Sequence, residues 1–210
     1  MYQPPHFRED RLEVQHELVR NHPLGLLISA GPGGLIANAV PFLIDPVGSE
    51  LGVLRCHVAK ANQQWRALSH VEECLVVFQG PQAYVTPSWY ETKRQTGKVV
   101  PTWNYATVHA WGRPVVTEDP AWLGSQIRAL TDLCEGRFPA PWAVDDAPAG
   151  FIGSQIKGIV GIEIAVSRIE GKWKMSQNRP EADREGVFQG LEALGGEESE
   201  VARLVAARGE

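Results

Sequence analysis

The strongest constraint on the fold is the punctuation of the chain between residues 24 and 111. Short apolar runs are separated by glycine- and proline-bearing turns, and they do not alternate regularly with helices. Leu24 to Ala30 and Leu35 to Ile44 flank Gly31-Pro32-Gly33-Gly34, the pattern of a hairpin. Leu51 to His57, Leu75 to Gln79 and Ala83 to Thr86 read as further strands, with turns at Asp45 to Glu50 and at Gly80-Pro81. Thr102 to Trp111 reads as a longer strand that Gly112-Arg113-Pro114 bends or ends, and it carries Trp103, Tyr105, Thr107, His109 and Trp111 on one face. Ile159 to Arg168 alternates cleanly, and Lys172 to Met175 returns after a turn at Glu170-Gly171. Such a series implies an antiparallel barrel rather than a doubly wound sheet: a mainly β, α+β fold with peripheral helices.

The helices have their own signals. Asp10 is a candidate cap for a helix reaching Asn21, with Glu13 three residues on. Ala61 to Ser69 is a short helix. Asp119-Pro120 starts another, in which Leu123, Ile127, Leu130 and Leu133 recur at helical spacing, and Gly136 closes it. Glu91 to Lys98 and Pro139 to Pro148 read as loops. Asn178 to Leu194 is a helix, and Glu197 to Arg208 forms a C-terminal helical extension with Val201, Leu204 and Val205 as its apolar stripe. The expected organisation is one domain over 1–194 with a helical tail over 195–210.

Charge and composition narrow the function. The net charge is −5 and no run of Lys or Arg occurs, which disfavours direct DNA binding by one chain. Three widely spaced cysteines with no C-x-x-C argue against a zinc ribbon or dithiol redox motif. The polar, proline-rich start is not a signal peptide, and no apolar run reaches membrane-spanning length, so the expectation is a cytoplasmic protein without membrane contact. Neither H-E-x-x-H nor G-x-S-x-G is present, and His57 and His109 stand apart from any nucleophile or metal motif.

Four segments carry groups suited to a ligand. In His57-Val58-Ala59-Lys60-Ala61-Asn62, a strand end meets a helix start beside a lysine, a pattern that suits an anion. Tyr84 to Tyr90 packs aromatic rings and hydroxyls, including Ser88 and Trp89, around Pro87. Val100 to Tyr105 interleaves Trp103 and Tyr105 with Asn104. Gly171 to Pro180 gathers Lys172, Lys174, Gln177, Asn178 and Arg179 at a strand-to-helix junction. Taken singly, each segment reads equally as ordinary structure. Together they supply an anion site, a polar path and flat surfaces, the three requirements of a flavin mononucleotide. No G-x-G-x-x-G dinucleotide fingerprint is present.

At these segments the sequence resembles the PaiB family of FMN-binding negative transcriptional regulators. MYQPPHF, HVAKANQQW, YVTPSWY, VPTWNYATVHAWG and IVGIEIAVSRIEGKWKMSQNRPEADREGV carry the likeness from Met1 to about Leu191. The resemblance implies an FMN-binding split β-barrel of the pyridoxamine-phosphate-oxidase-like type, working as a homodimer with FMN at the subunit interface. It implies that Lys60 and Asn62 serve the phosphate and ribityl end, with His57 also among the cofactor-binding residues. Ser88, Trp89, Trp103 and Asn104 would line the ring pocket, and Lys174, Gln177 and Arg179 would close it. Ala39-Val40 departs from the family pattern, in which a histidine often precedes the Pro-Phe pair. The implied role is regulation that is indirect or redox-linked, through a DNA or protein partner; the alternative is a flavin-dependent oxidoreductase.

Overall fold

A computed structural model describes residues 1–31 and 33–208. Pro32 of the expected hairpin turn and the last two residues of the tail lie outside the described residues. The class is the expected one, α+β with an antiparallel eight-stranded sheet. The strands are β1 (Arg8–Glu9), β2 (Leu24–Gly31), β3 (Gly34–Pro41), β4 (Leu43–Asp45), β5 (Val53–Ala59), β6 (Cys74–Val85), β7 (Thr102–Thr117) and β8 (Ile159–Lys174). Their spatial order is β3-β2-β6-β7-β8-β5-β4, with β1 added to β8. The helices are α1 (Leu12–Asn21), α2 (Gln64–Leu68), α3 (Glu91–Thr96), α4 (Pro120–Glu135), α5 (Ala149–Lys157), α6 (Glu181–Leu194) and α7 (Glu198–Ala207). The chain divides into two compact units, one of residues 1–15, 79–108 and 170–210, the other of 16–78 and 109–169.

Two expected turns are absent and one expected strand break is passed through, each with a physical reason or a visible trace. Gly80-Pro81 does not end a strand. β6 runs through it, and its inside–outside alternation slips by one residue between Gly80 and Ala83, as a bulge does. Gly112 does not end β7. A Cβ there would lie 2.2 Å from the Ala165 carbonyl oxygen, so the glycine lets β7 pass close to β8. Glu170-Gly171 does not turn either, because β1 pairs with that stretch (Arg8 with Lys172, Glu9 with Gly171) and keeps it extended. The predicted loop at residues 91–98 contains α3, closed by Gly97 at φ 70°. The loop after α4 gives way to α5.

In the unit of residues 16–78 and 109–169, β2 and β3 form the predicted hairpin in continuous register from Leu24↔Pro41 to Gly31↔Gly34. The core includes Leu27, Phe42, Leu54, Val76, Phe78, Ile162 and Ile164, with Phe42 edge-on to Phe78 at 5.6 Å. Cys56 and Cys74 are buried here, and burial pushes the Cys74 thiol up to about 12, which keeps it protonated. Asp119 caps α4 as expected, accepting from the amides of Ala121 and Trp122 at 3.1 and 3.4 Å. Leu123 and Gln126, rather than the whole predicted leucine stripe, are the buried residues of α4.

In the other unit, the buried face of β7 is the one opposite the aromatic series. Asn104, Ala106 and Val108 are buried, while Trp103 is 52% exposed. α6 and α7 pack together through Val187, Leu191, Val201, Ala202 and Val205. α1 begins at Leu12, because the Asp10 carboxylate is taken by the Arg8 guanidinium at 2.8 Å. Glu9 is buried and accepts from Arg11 Nη2 at 2.7 Å and Arg208 Nη2 at 2.6 Å. Burial alone would raise the Glu9 pKa, but the hydrogen bonds from Arg11 and Arg208 outweigh it and hold the carboxyl at about 2 against an ordinary 4.5. A depressed pKa stabilises the fold above the unfolded value, and that contribution fades as pH falls from about 4.5 towards 2. Glu9→Gln is expected to cost about 2 kcal/mol at pH 7 and much less at pH 3. Urea unfolding at the two pH values measures it, and an equal cost at both would contradict the assignment.

Candidate functional site

The end of β8 and the segment after it build a cationic pocket within the unit of residues 1–15, 79–108 and 170–210. Thr102, Asn104, Lys174, Ser176, Asn178 and Arg179 line a cavity of about 50 Å³. β7 contributes Thr102 and Asn104 from its first residues. β8 contributes Lys174 as its last residue, and the chain then bends sharply at Ser176, which has φ 64°. A non-glycine residue in that region is held there by its surroundings. Buried Ser176 exchanges hydrogen bonds with buried Asn104: Asn104 Nδ2 donates to Ser176 Oγ at 3.0 Å, and the hydroxyl donates to Asn104 Oδ1 at 3.2 Å.

Gln177 fixes the same bend. Its Oε1 accepts from the Met175 amide at 2.7 Å and its Nε2 donates to the Trp173 carbonyl at 2.6 Å. Both polar ends of this predicted ligand residue therefore hold backbone. Lys174 Nζ donates to the Trp103 carbonyl at 2.6 Å and to Thr102 Oγ1. Arg179 lies over the Tyr90 ring, 4.6 Å from its centroid. Tyr90 is fully buried, and nearby Asp183, also buried, accepts from the Thr92 amide at 2.8 Å.

The electrostatics ask for an anion. Among the described residues, no carboxylate pairs with Lys172, Lys174 or Arg179. Burial depresses the Lys174 pKa, and the neighbouring charges of Lys172 and Arg179 depress it further. Lys172, itself buried, is stacked over the rings of Tyr2 and Tyr105 instead of meeting an acid. Three cations drawn together around hydroxyl and amide groups fit a phosphate or another oxyanion, which would remove the repulsion that depresses Lys174.

The other predicted site residues have definite surroundings. Trp89 is seated on α6, where a Cβ on Gly190 would lie 2.3 Å from its indole and one on Gly186 would lie 1.9 Å from its carbonyl oxygen. Ser88 Oγ accepts from Lys93 Nζ at 3.1 Å. Trp103 meets Tyr84 edge-on at 6.0 Å, forming an exposed aromatic pair. His57, Lys60 and Asn62 belong to the other unit. Lys60 pairs with Glu118 at 2.6 Å, both side chains half-exposed, while its amide donates to the Gly158 carbonyl. Asn62 Oδ1 accepts from the Gln64 amide at the start of α2. His57 Nδ1 is buried without a hydrogen-bond partner, and burial lowers the ring's pKa.

The structure thus brings together Asn104, Lys174 and Arg179 of the predicted set, and it adds Thr102, Ser176 and Asn178. Thr102 and Ser176 escape sequence reasoning because a lone hydroxyl in a strand or turn carries no pattern. Among the described residues, no group of three or more His, Cys, Asp or Glu side chains could hold a metal ion. Also among them, no helix is long and apolar enough to cross a membrane.

An antiparallel α+β sheet with a cationic pocket that no carboxylate of the described residues lines suits an anionic cofactor or ligand. Residues 1–168 match the family described as "Putative FMN-binding domain". The chain belongs to this FMN-binding family, the PaiB type to which its motifs pointed, and FMN is the cofactor by which the family is defined. It is 38% identical to an uncharacterised protein of Emericella nidulans, over 96% of this chain and 95% of that one. It is 32% identical to the Protease synthase and sporulation protein PAI 2 of Bacillus subtilis, over 91% of this chain and 89% of the relative. The FAD and heme binding protein of Mycobacterium smegmatis shares the fold, with a TM-score of 0.58 at 18% identity over 80% of this chain and 73% of that one.

Proposed function

We propose that this chain is an FMN-dependent regulatory protein of the PaiB type, in which Lys174 and Arg179 hold the negative charge of FMN and Asn104, Thr102 and Ser176 orient it. The observation that carries this reading is the gathering of Lys172, Lys174 and Arg179 with no paired carboxylate among the described residues. Bound FMN supplies reversible one- and two-electron redox chemistry. The chain's own groups do the binding: Lys174 and Arg179 neutralise charge, and Gln177 and Ser176 keep the bend that presents them. Trp103 offers a flat apolar face, with Ser88 and Trp89 as further ring-side groups. Residues 1–194 form the FMN domain, 195–210 its tail, and two copies make the working dimer.

Regulation in this reading runs through the flavin's redox state or a protein partner. The net charge of −5 supports that route over direct operator binding. The experiment is twofold. Purified protein is expected to be yellow with flavin absorbance, and to give no specific gel shift with promoter DNA at physiological salt. Colourless protein that takes up no added FMN would overturn the cofactor reading, and a specific shift would overturn the indirect route. Anaerobic titration with NADH and NADPH tests the oxidoreductase alternative: flavin reduced no faster than free FMN would remove it.

A further inference from the structure

A cleft separate from the cationic pocket lies between α4 and a face of the sheet in the unit of residues 16–78 and 109–169. Its volume is about 850 Å³, within the roughly 300–1,000 Å³ range of small-molecule sites. A single cross-strand row runs along its floor: Leu43 of β4 opposite Arg55 of β5, and Arg55 opposite Glu163 of β8. Arg55 is held between two acids, with Nε 2.8 Å from Glu163 Oε2 and Nη1 3.2 Å from Asp45 Oδ2. Asp119 adds a third carboxylate to the lining. Three acids against one guanidinium leave the cleft negative, the opposite sign to the cationic pocket.

Two acceptors in the cleft are spare. The Arg55 guanidinium engages Glu163 through Oε2, and Glu163, 36% exposed, leaves its other oxygen open to solvent or a ligand. Gln126 is only 3% exposed; its Nε2 donates to the Arg55 carbonyl at 3.3 Å, and its Oε1 is buried with no partner. A buried amide oxygen without a donor is costly unless something supplies one. The end wall is rigid: Trp122 rests on the backbone of Gly161, where a Cβ would lie 2.3 Å from the indole. Leu43, Ile44, Pro46 and Ala129 complete an apolar side.

We propose that this cleft is a binding site for a small organic cation. A donor-rich head, an amidinium or primary ammonium, rests on Glu163 and reaches Gln126, and an apolar or aromatic body lies along Trp122 and Leu43. The head supplies the N–H donors that the two spare oxygens lack, and its charge offsets the excess of acid. Trp122 adds an aromatic face to that cation. An anion of the same shape meets three carboxylates and is rejected. This site is independent of the flavin reading.

The test uses the full chain loaded with FMN and the probe benzamidine, followed by calorimetry, with benzoate as the matched anion. The expected result is saturable 1:1 binding of benzamidine and none of benzoate. Glu163→Gln weakens it about tenfold, as loss of a charge-assisted hydrogen bond does. Because Glu163→Gln also loosens Arg55, Leu43→Arg serves as a second variant that leaves that pair in place; it puts a cation into the cleft and is expected to abolish benzamidine binding. Circular dichroism and flavin content report that each variant is folded. Non-saturable benzamidine binding, equal binding of benzoate, or a folded Leu43→Arg variant that binds like the parent would overturn the proposal.

Discussion

Lys174→Ala combined with Arg179→Ala is expected to weaken FMN binding at least about a hundredfold. Each charge-assisted hydrogen bond lost is worth roughly 1.5–3 kcal/mol, and a tenfold change corresponds to about 1.4 kcal/mol. The loss should be in affinity and not in folding. Lys174 and Arg179 are half-buried, and the structure gives neither an acidic partner whose charge would be stranded on removal. Truncating them relieves the mutual repulsion that depresses Lys174 but also removes its hydrogen bonds to Thr102 and the Trp103 carbonyl, so the variant should melt close to the parent without cofactor. Fluorescence titration of apo-protein with FMN, paired with thermal melts in the absence of FMN, separates the two effects. An unchanged dissociation constant would place the phosphate elsewhere, with Lys60 the next residue to truncate. Loss of stability with retained affinity would make the pair structural.

Gly186→Ala should be the most damaging single methyl in the chain's helices. The added Cβ falls 1.9 Å from the Trp89 carbonyl oxygen, a backbone atom that cannot rotate away. Alanine improves helix propensity over glycine by about 1 kcal/mol, yet overpacking of this kind costs roughly 1–3 kcal/mol or more, and the overlap here is severe. The expected outcome is a net loss of about 2 kcal/mol, read as a fall in the midpoint of urea unfolding. Gly153→Ala in α5 is the control, because nothing lies within 4 Å of its Cβ and the helix propensity gain should appear unopposed. Opposite signs for the two substitutions identify the Trp89 notch as the cause. A shared sign would mean that the Trp89 segment yields to α6.

Much of the architecture was legible because strands and caps are local. The β2–β3 hairpin, the Asp119-Pro120 start of α4 and the α7 stripe all follow from residues within a few positions of one another. What was illegible depended on distant partners. Gly112 reads as a strand end until Ala165 is known to lie against it, and Gly171 reads as a turn until β1 is known to pair there. The aromatic face of β7 is the one that stands out in the sequence, whereas the small side chains of Asn104, Ala106 and Val108 are the ones enclosed. The same rule governs the site. Lys174 and Arg179 stood out as charges in a basic segment, but that they lack acids, and that Gln177 spends both its polar ends on backbone, are facts of packing. The cleft beside α4 had no signature, since Leu43, Arg55, Trp122 and Glu163 are scattered along the chain.

The left-handed bend at Ser176 bears on how this protein could be engineered. Glycine there would relieve a conformation that a serine adopts only under constraint. The hydroxyl it removes is the one that trades hydrogen bonds with Asn104 at the wall of the cationic pocket. In the proposed reading of that pocket, robustness and cofactor retention pull against each other at one residue, and a variant selected for stability without flavin in the medium trades one for the other.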